Sequence, residues 1–164
     1  IADADFKEAT KVSDMVKMSD SGLDFIGPKV TNVSKTGILD TDLEHQDFYL
    51  IGSKDSDSGL ISHKLNLSIK HNSLKKRDYL SATLCDKWNN CNNEDEMIEV
   101  ISARATNCSG TTCDFIETIE LDLSDNFLKS QMNTGLMLRF NAKKKASKVK
   151  VSKGYLMGYL TVTN

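Results

Sequence analysis

Two stretches of the chain alternate apolar and polar residues with a period of two. In 61–71, Ile61, His63, Leu65, Leu67, Ile69 and His71 share one parity, while Ser62, Lys64, Asn66, Ser68 and Lys70 take the other. Successive side chains of a strand point to opposite faces, so this is the pattern of a strand with one dry and one wet side. In 115–123, Phe115, Glu117, Ile119, Leu121 and Leu123 form the inward row against Ile116, Thr118, Glu120 and Asp122, with Glu117 the one acid in it. Shorter runs place further strands at 23–27, 30–38, 47–52, 78–84, 97–105, 135–141, 148–152 and 155–163.

The period changes in two places. Phe6, Ala9, Val12, Met15 and Val16 recur at spacings of three and four, the stripe of a short N-terminal helix, and SDSG at 19–22 ends it. We set a boundary there: residues 1–20 are a helix or tether, and 21–164 a single β domain. Ser124 ahead of DNFLKSQM reads as an N-cap with an acid in the first turn, which predicts a short helical turn at 125–132. Many short strands with connections too brief for parallel crossovers give the fold class: mainly β, an antiparallel β-sandwich with a short N-terminal helix and that one helical turn.

Composition adds limits. A chain of 164 residues is enough for one domain with its own core, and 39% apolar with 27% charged residues is ordinary for a globular protein. A net charge of −2 gives no field that selects nucleic acid. There is no run of 18 apolar residues to cross a bilayer, and IADADFKEAT lacks the basic and apolar regions of a signal peptide. Numbering from an isoleucine suggests a mature form whose export signal has been removed. Sequons at Asn32, Asn66 and Asn107 matter only where the source glycosylates.

The four cysteines change the picture most. Cys85, Cys91, Cys108 and Cys113 fall in one window with no histidine among them or downstream, spaced C-x5-C-x16-C-x4-C. Structural zinc sites use tighter pairs, so disulfides are favoured over a metal site or reduced thiols, and with them an oxidising compartment. Of three connectivities, Cys85–Cys91 and Cys108–Cys113 fit the strand assignments best, closing small loops at one end of the sheet.

No Gly-x-Ser-x-Gly, phosphate loop or dinucleotide fingerprint is present, and a serine nucleophile would lack a nearby base. His63 and His71 lie too far apart on one strand to share an ion, and His45 stands in an acidic loop, LDTDLEH. Asp55 and Asp57 in KDSDSG, with Asp40, Asp42 and Glu44, are calcium candidates; neither stretch completes an EF-hand, and the same residues form ordinary turns. Glu117 faces a polar pocket, pairs with a base such as Arg139 or lies at the sheet margin; its plainer reading is a partly exposed acid beside a lysine or arginine. Lys143, Lys144, Lys145, Lys148 and Lys150 carry five charges in eight residues without interleaved aromatics. They suit the protection of a hairpin edge, or an anionic surface such as lipid headgroups or lipopolysaccharide, better than nucleic acid.

From FIETIELDL through GLMLRF to KGYLMGYLTVTN, carried by Gly135, Leu136, Arg139, Gly154, Tyr155, Leu156 and Gly158, the C-terminal 50 or so residues resemble small exported or lipid-anchored bacterial proteins of unknown function. The resemblance implies a β-sandwich completed by a Gly-rich final strand, and it brings no catalytic residue. The functional expectation is an extracytoplasmic binding or assembly domain, periplasmic, outer-membrane-associated or secreted. It is non-catalytic, needs no cofactor and associates with another envelope protein or a surface ligand. Two other classes compete: a pilus or adhesin subunit that exchanges a strand, against which the helical stripe at 6–16 argues, and a hydrolase assembled around Glu117.

Overall fold

The computed structural model describes residues 3–35, 43–87 and 90–164. In chain order these form α1 (Asp3–Met15), β1 (Lys17–Met18), β2 (Asp24–Ile26), β3 (Val30–Lys35), β4 (Leu43–Lys54), β5 (Ile61–Ser73), β6 (Tyr79–Lys87), β7 (Asn90–Cys91) and β8 (Glu96–Met97). There follow β9 (Glu99–Ser109), β10 (Thr112–Ser124), α2 (Asp125–Ser130), β11 (Leu136–Ala142), β12 (Ala146–Val151) and α3 (Lys153–Thr163). The larger antiparallel sheet runs β1-β2-β4-β5-β10-β9, with β3 on β4 beside β2; the smaller runs β12-β11-β6-β7, with β8 on β6.

The alternation of the two long strands sets the core. In register, the inward residues of β4, β5 and β10 stack in five rows: Glu44–His71–Phe115, Gln46–Ile69–Glu117, Phe48–Leu67–Ile119, Leu50–Leu65–Leu121 and Gly52–His63–Leu123. The middle rows are apolar and pack in one cluster with Leu136, Leu138, Phe140, Val149 and Val151 of the smaller sheet. Polar side chains close both ends. The expected mainly β, antiparallel two-sheet architecture and short N-terminal helix are therefore present. Ser124 caps α2, its hydroxyl accepting from the Phe127 N–H.

Residues 155–163 are not a strand. They form α3, whose N-cap Ser152 accepts from the Tyr155 N–H at 3.1 Å. Tyr155, Leu156, Tyr159 and Leu160 are all buried, because one side of the helix faces the sandwich core and another faces α1. A helix covered on both sides has no polar stripe, and its apolar run reads as a strand by periodicity. The glycines belong to the helix contact: a Cβ on Gly158 would stand 2.4 Å from the Ala9 carbonyl oxygen, and one on Gly154 2.7 Å from Glu8 Cβ.

Two further assignments shift. β4 begins at Leu43, so His45 is an exposed strand residue rather than a loop one. The run at 97–105 divides between β8 on the smaller sheet and β9 on the larger. Residues 36–38 of the stretch at 30–38 lie outside the described residues. Cys85 faces Cys91 and Cys108 faces Cys113 across adjacent strands, and each pair is bonded. The bridges do not share an end, however. Cys113 lies opposite Ser73, where β5 leads into the connection to β6, whereas Cys85 is six residues along β6 from Tyr79. No helix among the described residues is long and apolar enough to cross a membrane.

Candidate functional site

The connection 74–78 between β5 and β6 carries the second basic run of the chain, Lys75-Lys76-Arg77. Pairing of β6 with β11 sets Tyr79 opposite Ala142, which brings this connection beside the hairpin between β11 and β12. The Lys143 N–H donates to the Arg77 carbonyl at 3.4 Å. Lys75, Lys76, Lys143, Lys144 and Lys145, all exposed, thereby surround one cleft of about 180 Å³ whose wall also includes Ser73, Arg77 and Asp78. Lys143 Nζ lies 3.4 Å from the Asp78 carboxylate. The other four lysines have no ion-pair partner among the described residues.

Beneath the cleft, the two polar rows at this end of the larger sheet hold the connection in place. Glu117 is 2% exposed, and its carboxylate accepts from His71 Nε2 at 2.6 Å and from the N–H groups of Arg77 and Asp78 at 3.0 Å each. Burial works to raise the Glu117 pKa; the His71 bond, the two backbone N–H bonds and the His71 charge outweigh it and hold the carboxyl below its ordinary value. Asp78 sits at φ 59°, a left-handed conformation that aspartate tolerates better than most residues. That turn is what points two successive N–H groups at one carboxylate.

The Arg77 side chain runs inward. Its Nη1 donates to Glu44 Oε1, and to Tyr79 Oη at 3.0 Å. Glu44 also accepts from Ser147 Oγ at 2.7 Å and from Gln46 Nε2, whose amide reaches the Lys148 carbonyl as well. Burial opposes the Arg77 charge, but Tyr79 and Glu44 bind its proton more firmly than usual; burial likewise raises the Tyr79 phenol. Arg77 Nε has no partner among the described residues. Backbone and side chain of one residue are thus tied to different carboxylates, so the lysine-bearing connection is rigid at its base.

At the opposite polar end His63 is buried between Tyr159 Oη on Nδ1 and Asp125 Oδ1 on Nε2, each at 2.8 Å. Burial lowers the His63 pKa despite the carboxylate, which leaves the neutral imidazole as donor to Asp125 and acceptor from Tyr159. Asp125 is also bridged by Lys129 at 2.8 Å.

The remaining candidates scatter. Glu44 cannot serve calcium, since it is 1% exposed and taken by Arg77, Ser147 and Gln46. Asp55 closes a turn by accepting from the N–H groups of Asp57 and Ser58, which lowers its pKa, while Asp40 and Asp42 lie outside the described residues. No group of three metal-binding side chains exists among the described residues. Glu117 pairs with His71, not with Arg139, whose Nε donates to Asn141 Oδ1. Lys148 and Lys150 stand on the exposed row of β12, Lys150 beside a separate cleft. The residues that sequence reasoning missed are Lys75, Lys76 and Arg77; the signal was a second basic run with a turn-forming aspartate after it.

No protein-family model, curated protein or solved structure matches this chain.

Proposed function

We propose that the chain is a non-catalytic binding domain of an extracytoplasmic compartment that docks on a phosphate-bearing lipid surface through the lysine cleft. The observation that carries this reading is the convergence of Lys75 and Lys76 with Lys143, Lys144 and Lys145 on two connections fixed from below. Each basic side chain close to an anionic leaflet contributes about 1 kcal/mol, within a Debye length. Five of them on a rigid base support reversible, salt-sensitive association without an inserted anchor. The two disulfides favour a periplasmic, outer-membrane-associated or secreted setting. Glu117 has both carboxylate oxygens occupied by loop and histidine donors, which suits a staple better than a hydrolytic base.

Co-sedimentation with phosphatidylcholine vesicles, and with vesicles of equal parts phosphatidylcholine and phosphatidylglycerol, tests the reading. Binding is expected only to the mixed vesicles, lost near 1 M salt, where the Debye length is about 3 Å, and lost in Lys75→Glu/Lys76→Glu/Lys144→Glu. Equal binding of that variant overturns the proposal. Displacement by low concentrations of free pyrophosphate would instead assign the cleft to a soluble polyphosphate ligand.

A further inference from the structure

A second cleft, of about 420 Å³, opens between α1, the start of β3 and β12, and differs in character from the lysine cleft. Its floor is apolar: Val12 of α1, Val30 of β3, Phe48 of β4 and Tyr155 of α3, with half-exposed Met15 at the mouth. The Tyr155 hydroxyl is already committed, donating to the Pro28 carbonyl at 2.8 Å and accepting from the Leu50 N–H at 3.2 Å. A ligand's polar group therefore finds no free partner there. Its partners stand at the rim, where Lys11 of α1, Lys29 of the connection ahead of β3 and Lys150 of β12 converge, all exposed and without an ion-pair partner among the described residues. The acid beside them, Glu8, accepts from the Ser152 hydroxyl. Size and lining match small-molecule sites, which run from about 300 to 1,000 Å³ with apolar walls and few polar groups.

We infer that this cleft binds a single-chain anionic amphiphile, with the hydrocarbon on the Val12, Val30, Phe48 and Tyr155 floor and the carboxylate or phosphate among Lys11, Lys29 and Lys150. The site is independent of the lysine cleft.

Titration calorimetry with decanoate as the carboxylate probe, decyl phosphate as the phosphate probe and decan-1-ol as the uncharged comparator, all below their aggregation limits, decides the matter. One saturable site is expected for either anion and much weaker binding for the alcohol. Lys29→Glu/Lys150→Glu should weaken anion binding roughly tenfold or more. Met15→Trp, placed at the mouth and outside the core, should abolish it with an unchanged melting temperature, while Lys75→Glu/Lys144→Glu leaves it intact. The inference is overturned by alcohol binding as tight as that of the anions, by indifference to both the rim and mouth variants, by loss of binding in the Lys75→Glu/Lys144→Glu protein, or by absence of a saturable site.

Discussion

Glu117→Gln separates a structural staple from an incidental buried acid. The native carboxylate receives three donors, His71 Nε2, Arg77 N–H and Asp78 N–H. Glutamine keeps one acceptor oxygen and replaces the other with an NH2 group facing a donor. One buried N–H then loses its acceptor, at about 1–3 kcal/mol, and hydrogen bonds to a charged group, worth about 1.5–3 kcal/mol each, become neutral ones. Breaking a buried ionic cluster from one side costs about 3–5 kcal/mol in all. In a chain of this size each kcal/mol moves the melting temperature by about 2–4 °C, so a drop of about 6–20 °C is expected. Urea unfolding followed by far-UV circular dichroism measures the free energy directly. The sign with pH is fixed as well. A carboxyl held below its ordinary value stabilises the fold fully above about pH 4.3 and loses that contribution as pH falls through its folded-state pKa. The variant should therefore show a flatter acid limb than the native chain. A loss under about 1 kcal/mol with an unchanged acid limb would refute the staple.

Other outcomes follow from separate parts of the fold. His63 has its pKa lowered by burial, so its stabilising contribution is complete above about pH 6.5 and declines as the unfolded chain takes up the proton below it; His63→Gln should lessen the fall in urea midpoint between about pH 7.5 and about pH 5.5. Gly158→Ala sets a methyl 2.4 Å from the Ala9 carbonyl, so α1 must move off α3, at about 1–3 kcal/mol, and proteolysis near the N-terminus should accelerate. Cys108→Ser/Cys113→Ser opens a loop of sequence separation 5, for which chain entropy gives about 2 kcal/mol; a larger loss in thermal unfolding would show that the bridge does more than limit the unfolded chain.

What the sequence disclosed was local. Leu65, Leu67 and Ile69 announced the dry face of β5, Ser124 announced the start of α2, and the position of the cysteines between strands matched their pairing. The rest depends on which distant residues become neighbours. His71 and Glu117 are brought together by β5–β10 pairing. Lys75 meets Lys144 only because β6 lies against β11, and neither register is written in an alternation of apolar and polar positions. α3 escapes the pattern for the opposite reason: its neighbours, α1 and the core, cover it so completely that no helical stripe is required.

The β5–β10 ladder also bears on the order in which the chain can fold. It joins Ser73 to Cys113 at one end and Ser62 to Ser124 at the other, partners 40 and 62 residues apart. Between them lie β6 to β9, including the whole of one disulfide-closed excursion. Such non-local pairing folds slowly, because loop entropy is lost before the contacts form. During synthesis β4 and β5 emerge long before β10 can pair with β5, and their apolar rows stay uncovered until β11, β12 and α3, which pack against them, are available. A slow zip of this kind keeps the chain extended for longer than local contacts would, whereas the two disulfides, at sequence separations of 6 and 5, link residues close enough in the chain to pair without waiting for it.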